Sequence, residues 1–142
     1  MGRHDDETIL PDWTLARGVR TDWLEIDENG NEVIQSRAFD ESSQEVSCFI
    51  LEETDGPGGF RRNILPVIEK EIGTRLRFAT IEVSVVRASG FWIYRKPEEF
   101  HDNRAHVVLC PQQANNVGRN QFKKQVREIA KRAVLRSLVL DD

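Results

Sequence analysis

Val46-Ser47-Cys48-Phe49-Ile50-Leu51 and Ala105-His106-Val107-Val108-Leu109-Cys110 are the two stretches on which the reading of this 142-residue chain turns. Each is a run of six with one polar interruption. Short apolar runs bounded by turn signals read as strands buried on both faces. A polar loop over residues 40–45 precedes the first run, and Pro111 stops the second. The two are expected to lie side by side in the middle of one sheet.

Working outward, Asp27-Glu28-Asn29-Gly30-Asn31 is a strong turn signal, because Asn-Gly tolerates the positive φ of a tight hairpin. Strands are expected at 22–26 and 32–39 around it. Residues 13–19 form either a helical turn or a first strand. Residues 52–59 carry Asp55-Gly56-Pro57-Gly58-Gly59, a density of Gly and Pro that predicts a flexible loop. Ile64, Leu65, Ile68 and Ile72 recur at helical spacing, and Gly73 sits where a C-terminal cap belongs.

Residues 75–87 read as a long strand. Leu76 and Phe78 share one parity while Ile81, Val83 and Val85 share the other, which predicts a β-bulge near Ala79-Thr80. A turn at Ala88-Ser89-Gly90, a strand at 91–94 and a polar loop around Pro97 follow. The clearest element is a helix over 119–139. Phe122, Val126, Ile129, Ala130, Ala133, Val134 and Leu138 line one face and Lys123, Lys124, Arg127, Lys131, Arg132 and Arg136 the other. The fold class is therefore α+β: a mainly antiparallel curved sheet packed against a long C-terminal helix, in one domain over 11–142 behind a flexible lead at 1–10.

Composition narrows the class of protein. Apolar residues make up 39% and charged residues 31% of the chain, and the apolar ones are clustered, which argues against global disorder. No stretch reaches the roughly 18 apolar residues that cross a bilayer, and the polar, acidic start is not that of a signal or transit peptide. The expected compartment is the cytoplasm, with no membrane association. Cys48 and Cys110 sit inside apolar runs and read as buried free thiols; no CxxC pair nucleates a zinc site, so no metal and no cofactor is expected. Net charge is −4, unevenly spread: residues 1–60 hold 15 acidic and 4 basic side chains, whereas 61–142 hold 9 acidic and 16 basic. Either the halves interleave and cancel, or the molecule is electrostatically two-faced.

His106 is the first candidate for chemistry. A histidine in an apolar strand either satisfies a backbone carbonyl or faces a pocket where its proton can be used. His101, in the preceding loop, is its possible acid–base partner. Arg17 and Arg37, both among apolar neighbours, either pair with carboxylates from the acidic half or clamp an anion. Ser47, on the first apolar run, is a candidate ligand contact; no nucleophile elbow surrounds it, which makes it a poor serine-hydrolase nucleophile. Lys123, Lys124, Arg127, Lys131 and Arg132 could track a phosphate backbone, although no aromatic residue interleaves with them to stack bases.

Taken in order, Leu15-Ala16-Arg17-Gly18-Val19, Ser36-Arg37-Ala38-Phe39, Val46-Ser47-Cys48-Phe49, Pro97, Ala105-His106-Val107 and Ile129-Ala130 resemble a group of small bacterial proteins of unknown function. Their pattern is a leading arginine, an S-x-A-F strand, a serine-bearing strand and an alanine-histidine strand before a closing helix. The resemblance covers residues 15–135. It implies no activity, but it implies that Arg17, Ser36, Phe39, Ser47 and His106 matter together.

The leading functional expectation is a non-catalytic binding or accessory protein, a subunit of a larger bacterial assembly, with a protein partner or a second copy seated on the apolar surplus of the terminal helix. The alternatives are an enzyme acting on a phosphodiester or nucleotide through His106 with Arg17 and Arg37, and nucleic-acid binding through the basic helix.

Overall fold

The two apolar runs become adjacent antiparallel strands in the computed structural model, which describes residues 3–136. Strand β4 (Val46–Ile50) pairs with β7 (His106–Pro111) in a register running from Val46↔Leu109 to Phe49↔His106. Around them a six-stranded sheet is ordered β6-β7-β4-β1-β5-β8, with β1 at Thr14–Arg20, β5 at Leu76–Glu82, β6 at Phe91–Arg95 and β8 at Val134–Arg136. Every pairing is antiparallel. The expected hairpin forms a separate small sheet, β2 (Leu24–Ile26) against β3 (Glu32–Ile34). Gly30 takes φ +82° at its tip, and the Asp27 carboxylate accepts from the Asn29 and Asn31 N–H groups, both at 2.9 Å.

Both faces of the main sheet are buried, and this explains the departures from expectation. Val46, Cys48, Ile50, Val107 and Leu109 look toward α3 (Val83–Ala88) and α4 (Arg119–Arg132), where Val83, Val86, Phe122, Val126 and Ile129 meet them. Ala16, Phe49, Leu76 and Phe78 look the other way, onto Phe60, Ile64 and Leu65. Gripped on both faces, the sheet is not curved around one closing helix. The strand expected over 75–87 ends at Glu82, and Val83 and Val85, which suggested a change of parity, lie in α3; with both faces covered, no bulge is needed. β5 pairs with β1 without interruption from Thr14↔Glu82 to Arg20↔Leu76, and residues of both parities are apolar because each parity has its own cover.

Residues 32–39 do not make one strand: β3 stops at Ile34, and a 3-10 turn (Ser36–Ala38) follows. The Gly-rich stretch is not a loop but the start of a helix: α1 (Gly56–Gly59) runs through a π turn (Phe60–Ile64) into α2 (Leu65–Ile72). Pro57 stands in the first turn, where its missing N–H costs nothing. Pro66 stands in the first turn of α2, just after the π turn, where the i→i−4 ladder is relaid. Gly73 closes α2 at φ +67°.

The C-terminal helix is shorter than expected. α4 ends at Arg132, and Val134–Arg136 turns outward to pair with β5 as β8, which covers backbone groups that β5 would otherwise expose at an edge. The continuation to residue 139, with Leu138, lies outside the described residues. Phe122, Val126, Ile129 and Ala130 are buried as the stripe predicts, whereas Val134 is exposed. Residues 5–9 lie along β6: the Asp6 N–H donates to Ile93 O at 2.7 Å, the Ile93 N–H to Asp5 Oδ1 at 3.0 Å, and Ile9 is fully buried. Among the described residues no helix is long and apolar enough to cross a membrane.

Gly59 is the tightest point of this frame, since a Cβ there would stand 1.8 Å from the Thr54 carbonyl oxygen. Gly59→Ala is expected to lower unfolding free energy by about 3 kcal/mol, read from the midpoint of a urea melt, and Gly73→Asn by much less.

Candidate functional site

On the α2 side of the sheet the central strands carry two polar side chains, Ser47 and His106, among apolar neighbours. Ser47 Oγ lies 2.5 Å from His106 Nε2, and His106 Nδ1 lies 2.6 Å from the Lys96 carbonyl oxygen. A carbonyl only accepts, so Nδ1 carries the proton. In the neutral ring Nε2 is then bare, and Ser47 donates to it. The imidazole is buried between aromatic rings, tilted against Phe49 at 5.1 Å and stacked with Phe100 at 6.0 Å between centroids.

The carbonyl that orients His106 is itself held. The Lys96 N–H donates to His106 O at 3.0 Å, and the Lys96 ammonium reaches Glu45 at 2.8 Å and Glu99 at 3.3 Å. The hydrogen bond to Glu45 raises the ammonium above the ordinary lysine range. For Glu45, burial works to raise the carboxyl, but the Lys96 and Arg3 contacts outweigh it and hold the group below the usual carboxylate range.

Arg17 stands on the other side of Ser47. The ladder between β1 and β4 lasts only two residue pairs, Leu15↔Ile50 and Ala16↔Phe49. Beyond it the Arg17 side chain supplies the missing bonds: Nε to Ala38 O at 2.7 Å, Nη1 to Ser47 O at 2.8 Å and Nη2 to the Glu41 carboxylate at 2.7 Å. Buried Cys48 lies on the neighbouring residue; burial pushes its thiol up to about 12, against the pull of Arg17, and burial pushes Cys110 up to about 11. Both thiols stay protonated at neutral pH and are inert.

These groups open into a cleft of about 340 Å³ between the sheet, the C-terminal half of α2 and the 97–103 loop. Trp23, Phe49, Ile68, Ile72, Leu76 and Phe100 supply apolar wall, Gly18 the floor, and Arg17, Ser47 and His106 the converging polar atoms. Arg20, Glu41, Glu71 and Glu99 stand around it. A second hollow, of about 570 Å³, lies beside Arg61, Glu69, Lys70 and Arg75.

The structure thus brings Arg17, Ser47 and His106 together. His101 does not reach them. It lies exposed at the rim, 2.6 Å from Glu71, linking the loop to α2. Arg37 lies elsewhere, in the exposed 3-10 turn, donating to Gln35 Oε1 at 2.6 Å and to the Asp22 carbonyl. The carboxylate partner foreseen for a strand arginine belongs to Arg17. Lys123, Lys124, Arg127, Lys131 and Arg132 are exposed on α4, across the sheet from the cleft; Lys131 pairs with Glu128 at 3.4 Å. No group of three or more potential metal ligands occurs among the described residues. Sequence reasoning missed Trp23, Phe100 and the Lys96 carbonyl, which come from turns and a loop and carry no periodic signal.

Comparison with known proteins finds no family model that matches the chain and no matching relative among curated proteins or solved structures.

Two outcomes follow from this geometry. Arg17→Met leaves two carbonyls and a carboxylate without their donors and is expected to destabilise the protein by about 3 kcal/mol in denaturant melts, with Arg17→Lys restoring little because an ammonium lacks the fork. Glu45, whose folded-state pKa is depressed, contributes stability that is present above the ordinary carboxylate pKa and lost as pH falls through its folded value. Thermal melts should therefore show a smaller acid-induced loss in Glu45→Gln than in the parent.

Proposed function

We propose that the protein is a binding module, an accessory protein that holds a small molecule in the cleft beside Ser47 and His106. The observation that carries this reading is the composition of the cleft wall: apolar and aromatic side chains enclosing a few convergent polar atoms, in a volume at the small end of the range typical of ligand sites. Arg17 still has two N–H groups beyond its three bonds, and the Ser47–His106 pair offers one hydroxyl. A ligand with a flat apolar body and one acceptor group fits that arrangement. Of the three carboxylates around the cleft, Glu41 lies beside Arg17, Glu99 beside Lys96 and Glu71 beside His101, so the cleft has no strong excess of positive charge for a polyanion. With Arg37 outside it, the clamp foreseen for a phosphodiester lacks one arm. On the same reading the cationic face of α4, on the far side of the sheet, is left for an acidic partner surface.

The test uses anilinonaphthalene sulfonate, an apolar ring system with one anionic acceptor. It should bind at one equivalent per chain and quench tryptophan emission, with the quench reduced in Trp23→Phe. Phe100→Ala is expected to weaken binding roughly fivefold, the worth of one aromatic contact. Binding that is unsaturable, or equally strong in Phe100→Ala, refutes the cleft as the site.

A further inference from the structure

We propose that Ser47 and His106 form a nucleophile–base pair, and that the cleft transfers the acyl group of a carboxylic ester with an apolar acyl part to water. This inference rests on the reading of the cleft as a ligand site, and adds a reaction to it.

The argument is geometric. An activated serine needs a base within hydrogen-bond reach, and the base needs a third group to hold its tautomer. Ser47 Oγ is 2.5 Å from His106 Nε2, and the Lys96 carbonyl holds the proton on Nδ1 from 2.6 Å. A backbone carbonyl serves here where other sites use a carboxylate, and it is fixed by the Lys96 N–H bond to His106 O and by the ion pairs of the Lys96 ammonium. Ser47 is only half-buried and lines the cleft. The Arg17 guanidinium, 2.8 Å from the Ser47 carbonyl, lines the same cleft and has N–H groups beyond its three bonds to offer a developing oxyanion. Trp23, Phe49, Phe100 and Ile68 form an apolar wall suited to the acyl part.

The step balances without a further reagent. Ser47 Oγ forms a bond to the ester carbonyl carbon as its proton passes to His106 Nε2. The C–O bond to the alkoxy group then breaks, and the leaving oxygen takes that proton from Nε2. Water, deprotonated by Nε2, attacks the acyl-serine carbonyl; the Oγ–carbonyl bond breaks, the proton returns to Ser47, and the carboxylic acid leaves.

The 142-residue protein is treated with p-nitrophenyl butyrate and, separately, with diethyl p-nitrophenyl phosphate, and followed by p-nitrophenol release and intact mass. The expected result is ester turnover and a single diethylphosphoryl adduct on Ser47. Both should be lost in Ser47→Ala, and turnover should fall about 10²- to 10³-fold in His106→Gln. Ser47→Ala removes one hydroxyl, and an unchanged denaturant melt shows that its fold is intact. Dye binding with neither turnover nor adduct in the parent overturns this inference and leaves the binding reading standing. An adduct on another residue, or turnover undiminished in Ser47→Ala, also overturns it. Adduct formation on Ser47 without dye binding supports the reaction and sinks the proposed ligand class.

Discussion

The Arg17 guanidinium is the point through which the rest of the structure is tied. β1 and β4 pair for only two residues, and past that point an open seam would leave the Ser47 carbonyl inside the protein without a donor. A buried carbonyl without a partner costs about 1–3 kcal/mol. Arg17 closes the seam with one planar fork that joins β1 to β4, to the 3-10 turn and to Glu41. Because the seam is closed by a side chain and not by backbone, the strands need not touch there, and the cleft begins at the same place. Stability and site are consequences of one ladder that stops early.

A second network holds the other wall. His106, Lys96, Glu45 and Glu99 link β7, the end of β6, the segment before β4 and the 97–103 loop. Asn103 secures the far end of that loop, its side-chain oxygen accepting from Ala105 N–H at 2.9 Å. Phe100, carried by the loop, thereby reaches the ring of His106, and the His101–Glu71 contact ties the rim to α2. The imidazole is therefore oriented by groups whose positions depend on ion pairs at the surface. This connects the acid-induced loss of stability expected from Glu45 to the geometry of the cleft.

The elements most legible in the sequence were those with local signatures. The two apolar runs, the Asn29-Gly30 hairpin, the stripe Phe122-Val126-Ile129 and the Gly73 cap each follow from spacing and backbone chemistry within a few residues. The misreadings shared one cause. Mixed parity in 76–82, the glycines of 56–59 and the expected continuation of α4 were read as local features, yet each was decided by what lies against it: helices on both sheet faces, the Thr54 carbonyl against Gly59, and the open edge of β5. For the site, His106, Ser47 and Arg17 stood out as polar residues in apolar runs. Their meeting did not, since 59 residues separate the serine from the histidine.

By itself the sequence determined which residues must be inside, that the chain mixes helices with a mainly antiparallel sheet, and that a few polar side chains would be buried with them. The hydrophobic effect and backbone propensity act over short spans, so they are written locally. The tertiary structure alone decided that Arg17 and not Arg37 enters the interior, that Ser47 faces His106 and that α2 and the 97–103 loop leave a hollow over them. Strand register and the partners of a buried hydrogen-bonding group are set by contacts between distant segments, and no window of sequence contains both sides of such a contact.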